Sequence, residues 1–340
     1  MLRVPLLSSI LILATLLLAA MLASVVTGAM SVPMVDALLF IGQRLTGLGS
    51  SALAPHEQAV VWELRLPRTL LAMLVGALLA QCGAVMQGMF RNPLADPGII
   101  GVSAGAAVGA VLAIFFSTSA MTVWSVPLGA FGGGLICSLL VYQLARSPLG
   151  TSVLVLLLAG IAISALAGSL IGLLSYLADD ARLRDVTLWQ MGSLAAADTW
   201  RLSLLAAAAV LLTIRFNQRA AALNALLLGE AEARHLGIDV EVMKRELILL
   251  VALGVGLAVA AAGVIGFIGL VVPHLVRTLT GPDHRSLLPL SALGGALLLL
   301  LADLISRVLV APAELPVGIV TGLLGAPFFI LLLRQLKGRF

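Results

Sequence analysis

The sequence contains few charged residues and almost no lysine. Asp, Glu, Lys and Arg account for 11% of the 340 residues, whereas 61% are hydrophobic. Soluble domains are about half apolar and about a quarter charged, so this composition excludes an ordinary soluble globule. Lys244 and Lys337 are the only lysines, and neither follows a glycine, so the G-x-x-x-x-G-K-[ST] phosphate-binding motif is absent. The chain therefore lacks the usual ATP-binding loop.

Cysteine and histidine are also scarce. Cys82 and Cys137 lie in apolar segments without metal-ligand neighbours, and we interpret them as small core residues. The histidines show neither metal-binding spacing nor a catalytic grouping. They are His56, His235, His274 and His284. We therefore predict that this chain is not an enzyme and that it binds no metal or cofactor.

Long apolar runs fill most of the chain instead. Windows of about 20 apolar residues recur, as transmembrane helices require. We predict an all-α polytopic membrane protein, a single transmembrane domain over residues 1–340 with about ten spans. The predicted spans are 5–27, 67–89, 98–116, 122–145, 150–177, 199–216, 245–265, 268–280, 287–310 and 317–334. The first run is longer than the apolar region of a signal peptide, so we predict that it is retained.

An even number of spans places both termini on one side of the membrane. On that arrangement, 13 of the 20 Lys and Arg residues lie on the side of the termini and 7 on the other. Because cytoplasmic loops collect Lys and Arg, we predict that both termini are cytoplasmic. The net charge of +4 has the same explanation and does not call for nucleic acid as a partner.

A polar segment, residues 217–246, separates two apolar runs on the predicted cytoplasmic side; we call it the polar island. It reads NQRAAALNALLLGEAEARHLGIDVEVMKRE and concentrates charge in a chain that is otherwise poor in it. Its first part consists of helix formers, and Gly229 and Gly237 divide it into short helical pieces. Such a segment either docks a partner protein or is a solvated loop.

Two prolines interrupt the chain between the second and third spans. Pro93 and Pro97 forbid a continuous helix, and they leave Asn92 and Asp96 in a turn at the membrane edge. Non-helical backbone is stable near lipid only where protein or a water-filled cavity surrounds it. The turn is therefore either a structural connection or part of a transport pathway.

Arginines mark the predicted outer side. Arg65 and Arg68 stand three residues apart, on one helical face at the start of the second span. They are either snorkelling anchors or receptors for the carboxylates of a soluble partner. Asp303 and Arg307 are four residues apart in the ninth span, where we predict an ion pair. That pair either serves the function or only marks the outer boundary.

Seven segments of the chain together resemble one family. In order they are RLPRTLLAMLVGALLAQCGAVMQGMFRNPLADPGIIGVSAGA, WQMGSLA, LGEAEARHLGI, GFIGLVVPHLVR, GPDHR, LLLADLISR and ELPVGIVTGLLGAPFFI. Their order and spacing resemble the iron-chelate and cobalamin permeases of bacterial ABC importers, over nearly the whole chain. The resemblance implies a cobalamin-permease-like fold of ten helices and a homodimer in the inner membrane. It also implies two separate ATPase subunits, which bind ATP and Mg, and a periplasmic binding protein that delivers substrate.

The resemblance further implies roles for particular residues. Contact with the ATPase falls on Leu228, Gly229, Glu230, Glu232, Arg234, His235, Leu236 and Gly237. Docking of glutamates from the binding protein falls on Arg65, Arg68 and Arg307. Gates and pathway fall on Asn92, Pro93, Leu94, Thr151, Ser152, Trp189, Met191, Gly192 and Ser193.

The substrate class rests on a single segment. YLADDARLRDVTLWQMGSL resembles the haem-importing branch more than the cobalamin branch, so we predict haem, with ferric siderophore and cobalamin as alternatives. No residue is an evident haem ligand.

Two other classes of protein stay open. An ion-coupled carrier requires an intramembrane carboxylate relay, for which Asp303 is the one residue well inside an apolar run. A structural membrane scaffold would transport nothing.

Overall fold

The computed structural model describes residues 5–28, 30–48, 50–117, 122–147 and 150–337, which are almost wholly helical. The α-helices are α1 (Leu6–Val26), α2 (Met34–Thr46), α3 (Pro55–Ala59), α4 (Leu66–Met89), α5 (Val102–Phe116), α6 (Thr122–Ala145), α7 (Val153–Leu177), α8 (Asp180–Gln190), α9 (Thr199–Leu228), α10 (Glu230–His235), α11 (Val240–Ala262), α12 (Ile268–Thr280), α13 (His284–Val308) and α14 (Val317–Lys337). A π-helical turn over Val60–Arg65 joins α3 to α4, and a 3-10 turn over Pro97–Ile100 precedes α5. Two short antiparallel strands, β1 (Arg146–Ser147) and β2 (Gly150–Thr151), connect α6 to α7.

Ten apolar helical segments coincide with the ten predicted spans. Seven are long and apolar enough to cross a membrane: Leu6–Val26, Pro55–Met89, Val123–Ala145, Val153–Leu177, Thr199–Leu228, Val240–Ala262 and His284–Val308. Helices α5, α12 and α14 are shorter apolar helices at the three remaining positions. The prediction of an all-α polytopic membrane protein is confirmed.

The ends of the sixth and seventh predicted spans differ from the structure for identifiable reasons. The sixth span was placed at 199–216, but α9 continues to Leu228, because the first part of the polar island has the composition of a helix and no residue that breaks one. The seventh span was placed at 245–265, but α11 ends at Ala262. Gly263 (φ 70°) and Phe267 (φ 68°) adopt left-handed backbone conformations, which end one helix and start the next.

Helix α4 forms the centre of the bundle. Every residue from Leu78 to Met89 is buried, and the helix packs against α9, α11, α12 and α13. Gly76 faces the backbone of Gly295 in α13, and Gly83 faces the backbone of Gly269 in α12, so closely that a Cβ at either position would overlap it. Small residues of this kind allow membrane helices to approach at backbone distance.

The polar island lies at one end of the bundle, which we call the island end. Helix α13 begins there, because His284 contacts Asn224 in the island. Helix α4 ends there, because Gly88 lies against His284. Strand β2 lies there as well, because Thr151 contacts Glu241. Both predicted gate turns therefore lie near the polar island.

Candidate functional site

Helix α10 projects from the island end between two glycines. Gly229 (φ 133°) separates α10 from α9, and Gly237 (φ 82°) follows its end, so the predicted division of the island at these glycines is confirmed. Ala233, within α10, is fully buried and marks its inner face. The acidic residues of α10 lie in its first turn and the basic residues in its last, which suits the helix dipole.

Most of the predicted coupling residues form one exposed surface. Six of the eight are exposed: Leu228, Glu232, Arg234, His235, Leu236 and Gly237. The two leucines are 68% and 64% exposed and stand at the two ends of α10. Glu230 is half-buried and Gly229 is buried. Exposed leucines beside charged side chains are suited to contact with another protein.

One ion pair joins the two ends of the island, and one hydrogen bond fixes the island to the start of α13. Arg219 on α9 lies 2.5 Å from Glu246 on α11. The Asn224 side-chain amide donates a hydrogen bond to Asp283, just before α13, at 2.6 Å. Hydrogen bonds from the backbone of Arg285 and from Asn224 lower the pKa of Asp283 below its ordinary value. This carboxylate is therefore ionised at neutral pH, and it keeps α13 attached to α9.

The interruption between α4 and α5 is an ordered turn. The Asn92 side chain accepts a hydrogen bond from the backbone N–H of Leu94 at 2.9 Å. The Asp96 side chain accepts one from the backbone N–H of Gly98 at 2.7 Å. Each of these bonds closes an Asx turn, and the exposed Pro93 lies within the first of the two turns. The predicted helix break is confirmed, and the three predicted gate residues are neighbours within it.

The second predicted gate turn contacts the polar island directly. Thr151 donates from its backbone N–H and its hydroxyl to Oε2 of Glu241, at 2.9 and 2.8 Å, although the two residues are 90 positions apart. The Ser152 side chain caps the start of α7 by accepting from the backbone N–H of Val155. The structure thus brings the turn before α7 together with the start of α11.

Sequence reasoning missed two residues at this contact, Glu241 and Lys244. Lys244 is only 2% exposed. Its Nζ lies 2.8 Å from Oε1 of Glu230 and 3.5 Å from Oε1 of Glu241. In the sequence both residues resemble ordinary solvated charges of the island. The available signal was that Lys244 is one of two lysines and stands three residues after an acid on a helix.

The three arginines predicted to dock the binding protein are withdrawn from solvent. Arg65 and Arg307 are 6% and 4% exposed, and the Arg68 side chain is 11% exposed. Arg65 donates to the backbone carbonyls of Val25, at 2.9 Å, and Met30. These carbonyls lie at and beyond the end of α1, where helix carbonyls lack intrahelical partners. Counting spans assigns these arginines a side of the membrane but does not reveal their acceptors, so their docking role stays a prediction.

Arg68 and Arg307 share one buried carboxylate. Arg68 Nε lies 2.9 Å from Asp303 Oδ1, and Arg307 Nη2 lies 2.6 Å from Asp303 Oδ2. Arg68 also lies 2.6 Å from Glu314, and Arg307 donates to the Ser24 hydroxyl at 2.6 Å. The predicted pairing of Asp303 with Arg307 is confirmed. This arginine clamp, which consists of these five residues, joins α1, α4 and α13 at the end opposite the island.

The segment after α8 joins three helices. The Ser193 backbone N–H donates to the Ala262 carbonyl at 2.8 Å, and the Gly318 N–H donates to the Met191 carbonyl at 3.1 Å. Gly192 (φ 73°) makes the turn between them. The joint contains all four predicted residues of this region: Trp189, Met191, Gly192 and Ser193. A cavity of about 880 Å³, lined in part by Trp189 and Ser193, opens beside it.

Comparison with known proteins gives this arrangement a class. The FecCD transport family matches residues 16–335. The hemin transport system permease protein HmuU of Yersinia pestis is 51% identical over 285 residues, 82% of this chain and 85% of that protein. The vitamin B12 import system permease protein BtuC of Shigella boydii is 44% identical over 313 residues, 91% of this chain and 94% of that protein.

A solved structure agrees with these relatives. A protein described as a metal-chelate type ABC transporter in an inward-facing conformation superposes with a TM-score of 0.83 at 35% identity, over 96% of this chain and 98% of that one. The fold and the matches together define a polytopic membrane permease. The chain belongs to the FecCD transport family and is a permease subunit of an ABC importer, a class that works with ATPase and binding-protein partners.

Proposed function

We propose that this chain carries haem across the inner membrane of a bacterium, as the permease of an ATP-driven importer. The observation that carries the proposal is the 51% identity to a hemin permease over 82% of the chain. The 44% identity to a vitamin B12 permease keeps cobalamin as an alternative, and ferric siderophore is a further one.

Transport by reconstituted protein tests the substrate. The complete complex, with its ATPase subunits and with its binding protein loaded with haem, is placed in liposomes. ATP-dependent accumulation of haem is measured beside that of ferric siderophore and cobalamin, each on the binding protein. We expect accumulation of haem alone. Accumulation of another chelate would keep the importer and replace the substrate. Uptake that persists without the ATPase subunits would favour an ion-coupled carrier instead.

The proposal assigns α10 to the ATPase contact. Two exposed leucines flank its exposed charges, and Ala233 is buried on its inner face. A short helix that is rigidly based and exposed on its outer face can move as a unit when a partner pulls it. The proposed role of the eight coupling residues is to transmit nucleotide-driven movement from two ATPase subunits. ATP and Mg then bind to those partners, and this chain needs no cofactor of its own.

We propose that the arginine clamp docks the binding protein and that, of the three predicted arginines, Arg68 is the one that pairs with it directly. Arg68 is the member whose partner is accessible, because Glu314 is 47% exposed. A carboxylate of the binding protein can therefore take the place of Glu314 on Arg68 without the opening of a buried pair. Arg65 and Arg307 then keep the end of α1 in place beside Arg68. Such pairing favours orientation and encounter rate over affinity.

The proposal further comprises a homodimer whose pathway lies on the dimer axis. The turns at Asn92–Leu94 and at Thr151–Ser152 are its gates on the island side, and the joint at Trp189–Ser193 frames the other opening. The island side is cytoplasmic, as are both termini, which agrees with the 13 to 7 distribution of Lys and Arg. Alternating access then consists of movement of helical units around a central site.

A further inference from the structure

An ion cluster with a buried lysine at its centre connects α10 to the turn between α6 and α7. Lys244 lies on α11, and its side chain is 3% exposed. Its ammonium group lies 2.8 Å from Glu230, the first residue of α10, and 3.3 Å from the carbonyl oxygen of Thr151 in β2. One side chain thus contacts both the coupling helix and the gate turn of the proposed function.

The lysine has a second acidic partner that it does not fully use. Oε2 of Glu241 accepts both hydrogen bonds from Thr151. Oε1 of Glu241 is buried and has no hydrogen-bond partner within the described part of the chain. The Lys244 ammonium lies 3.5 Å from this oxygen. Oε1 of Glu241 therefore lies close to the Lys244 ammonium, which is bound to Glu230. A shift of the ammonium by a fraction of an ångström would exchange Glu230 for Glu241 as its nearest partner.

Electrostatics keep Lys244 paired throughout this exchange. A buried ammonium without a carboxylate partner is strongly disfavoured, so Lys244 can shift from Glu230, at 2.8 Å, toward Glu241, at 3.5 Å, but does not leave both. Glu241 in turn is pressed against the turn: Gly150 has φ 115°, and a Cβ at Gly150 would lie only 2.9 Å from Oε1 of Glu241. Any movement of this carboxylate therefore reaches the backbone of the turn.

We infer that Lys244 is a positioning residue that transmits movement of α10 to the Thr151 turn by exchanging Glu230 for Glu241. When α10 is displaced, Glu230 leaves the ammonium, which then pairs with Glu241. The pairing draws the Glu241 carboxylate, and with it the two hydrogen bonds of Thr151, toward α11. The inference rests on the proposed function, since it takes α10 as the ATPase contact and the Thr151 turn as a gate.

Uptake per ATP hydrolysed tests this inference in the complete complex in liposomes. The test variants are Lys244→Met and Glu241→Gln, which remove a charge and keep the approximate shape. The matched control is Arg219→Met, which breaks another ion pair between α9 and α11 that makes no contact with the turn. We expect both test variants to assemble with the ATPase and to hydrolyse ATP. We expect uptake per ATP to fall about tenfold, which corresponds to ~1.4 kcal/mol. The control should keep the wild-type ratio.

A second readout separates transmission from a purely structural brace. Ser147→Cys, in a background of Cys82→Ala and Cys137→Ala, reports on the exposed side of the turn through its rate of maleimide labelling. We expect ATP to change this rate in the wild-type background and not with Lys244→Met. The double variant Lys244→Met/Glu241→Gln should be no worse than either single variant, because both interrupt one connection.

The outcomes distinguish this inference from the proposed function. Wild-type uptake with an unchanged ratio in both test variants overturns the inference and leaves the proposed function intact. An equal loss in the Arg219→Met control also overturns it. Wild-type protein that accumulates none of the three chelates overturns the proposed function, and the inference with it.

Discussion

At the residue scale, the arginine clamp shows how a charge is kept inside a membrane protein. Asp303 is fully buried and receives Arg68 and Arg307 from two sides. Both guanidinium groups are almost withdrawn from solvent, so they depend on this carboxylate to compensate their charge. The clamp differs in this respect from the exposed ion pairs of α8 and α10, whose arginine side chains are 44% and 55% exposed.

Removal of the central carboxylate is therefore expected to be severe. We predict that Asp303→Asn lowers the free energy of unfolding by about 3–5 kcal/mol, because two guanidinium groups lose their shared buried counter-charge. This free energy of unfolding is measured by titrating the protein with denaturant in detergent micelles. Glu314→Gln is the matched control, since Glu314 is 47% exposed, and its loss should be no more than about 1 kcal/mol. Equal losses in the two variants would contradict this account of the clamp.

The roles of single residues are also where the sequence says least. Arg65 and Arg68 are identical in type and lie three positions apart, yet one bonds backbone carbonyls and the other bonds carboxylates. The acceptors of Arg65 lie 35–40 positions earlier, and those of Arg68 lie 235 and 246 positions later. Local spacing contains no information about such distant partners, so only Asp303 and Arg307, on one helix, were paired correctly.

At the scale of helices, contact through glycine fixes the centre of the bundle. We predict that Gly83→Ala lowers the free energy of unfolding by about 1–3 kcal/mol, because the new methyl group would overlap the backbone of Gly269 and force α4 and α12 apart. The same denaturation experiment applies. Gly42→Ala in α2 is the control: no atom lies within 4 Å of its Cβ position, so the substitution should be neutral or slightly stabilising.

The end of α10 gives a second test at this scale. We predict that Gly237→Val reduces uptake per ATP at least several-fold, because a β-branched residue disfavours the positive φ that turns the chain from α10 toward α11. Gly237→Asn should retain most of the coupling, since asparagine tolerates this conformation. The space around the Cβ position is empty, so any difference between the two variants reports on the backbone and not on a clash. Equal coupling in both would show that the turn is not required.

Helices were predictable because their signal is local, whereas their ends were less so. A run of apolar residues identifies a span by itself, and all ten runs proved to be helices. The end of α9 escaped prediction because the helix continues beyond the apolar run into the polar island. The same holds for the gate turn at Thr151: its position was predictable, but its hydrogen bonds to Glu241 arise only when α11 packs beside α6.

At the scale of the whole molecule, the proposed docking of a binding protein can be tested in two directions. We predict that Arg68→Gln weakens the affinity of the complex for its binding protein by about 3–10-fold at low salt, because a charged receptor is lost. We predict that Glu314→Gln strengthens it, because Arg68 is then free of its resident partner. Titration of labelled binding protein onto permease–ATPase complex in nanodiscs, at two salt concentrations, measures both. If both variants changed the affinity in the same direction, this would contradict the idea that Glu314 and the binding protein compete for Arg68.

The clamp has a consequence for how the protein is made. Ser24 at the end of α1 is held by Arg307, which is synthesised 283 residues later. At about 5–20 residues per second, α1 waits tens of seconds in the bilayer before its last partner leaves the ribosome. During that time α1 lacks its contacts with α13, and it has the highest mean hydropathy of the candidate spans, 2.6. A helix this apolar is stable in the bilayer before its contact with Arg307 forms, so the composition of α1 suits the order in which the chain is made.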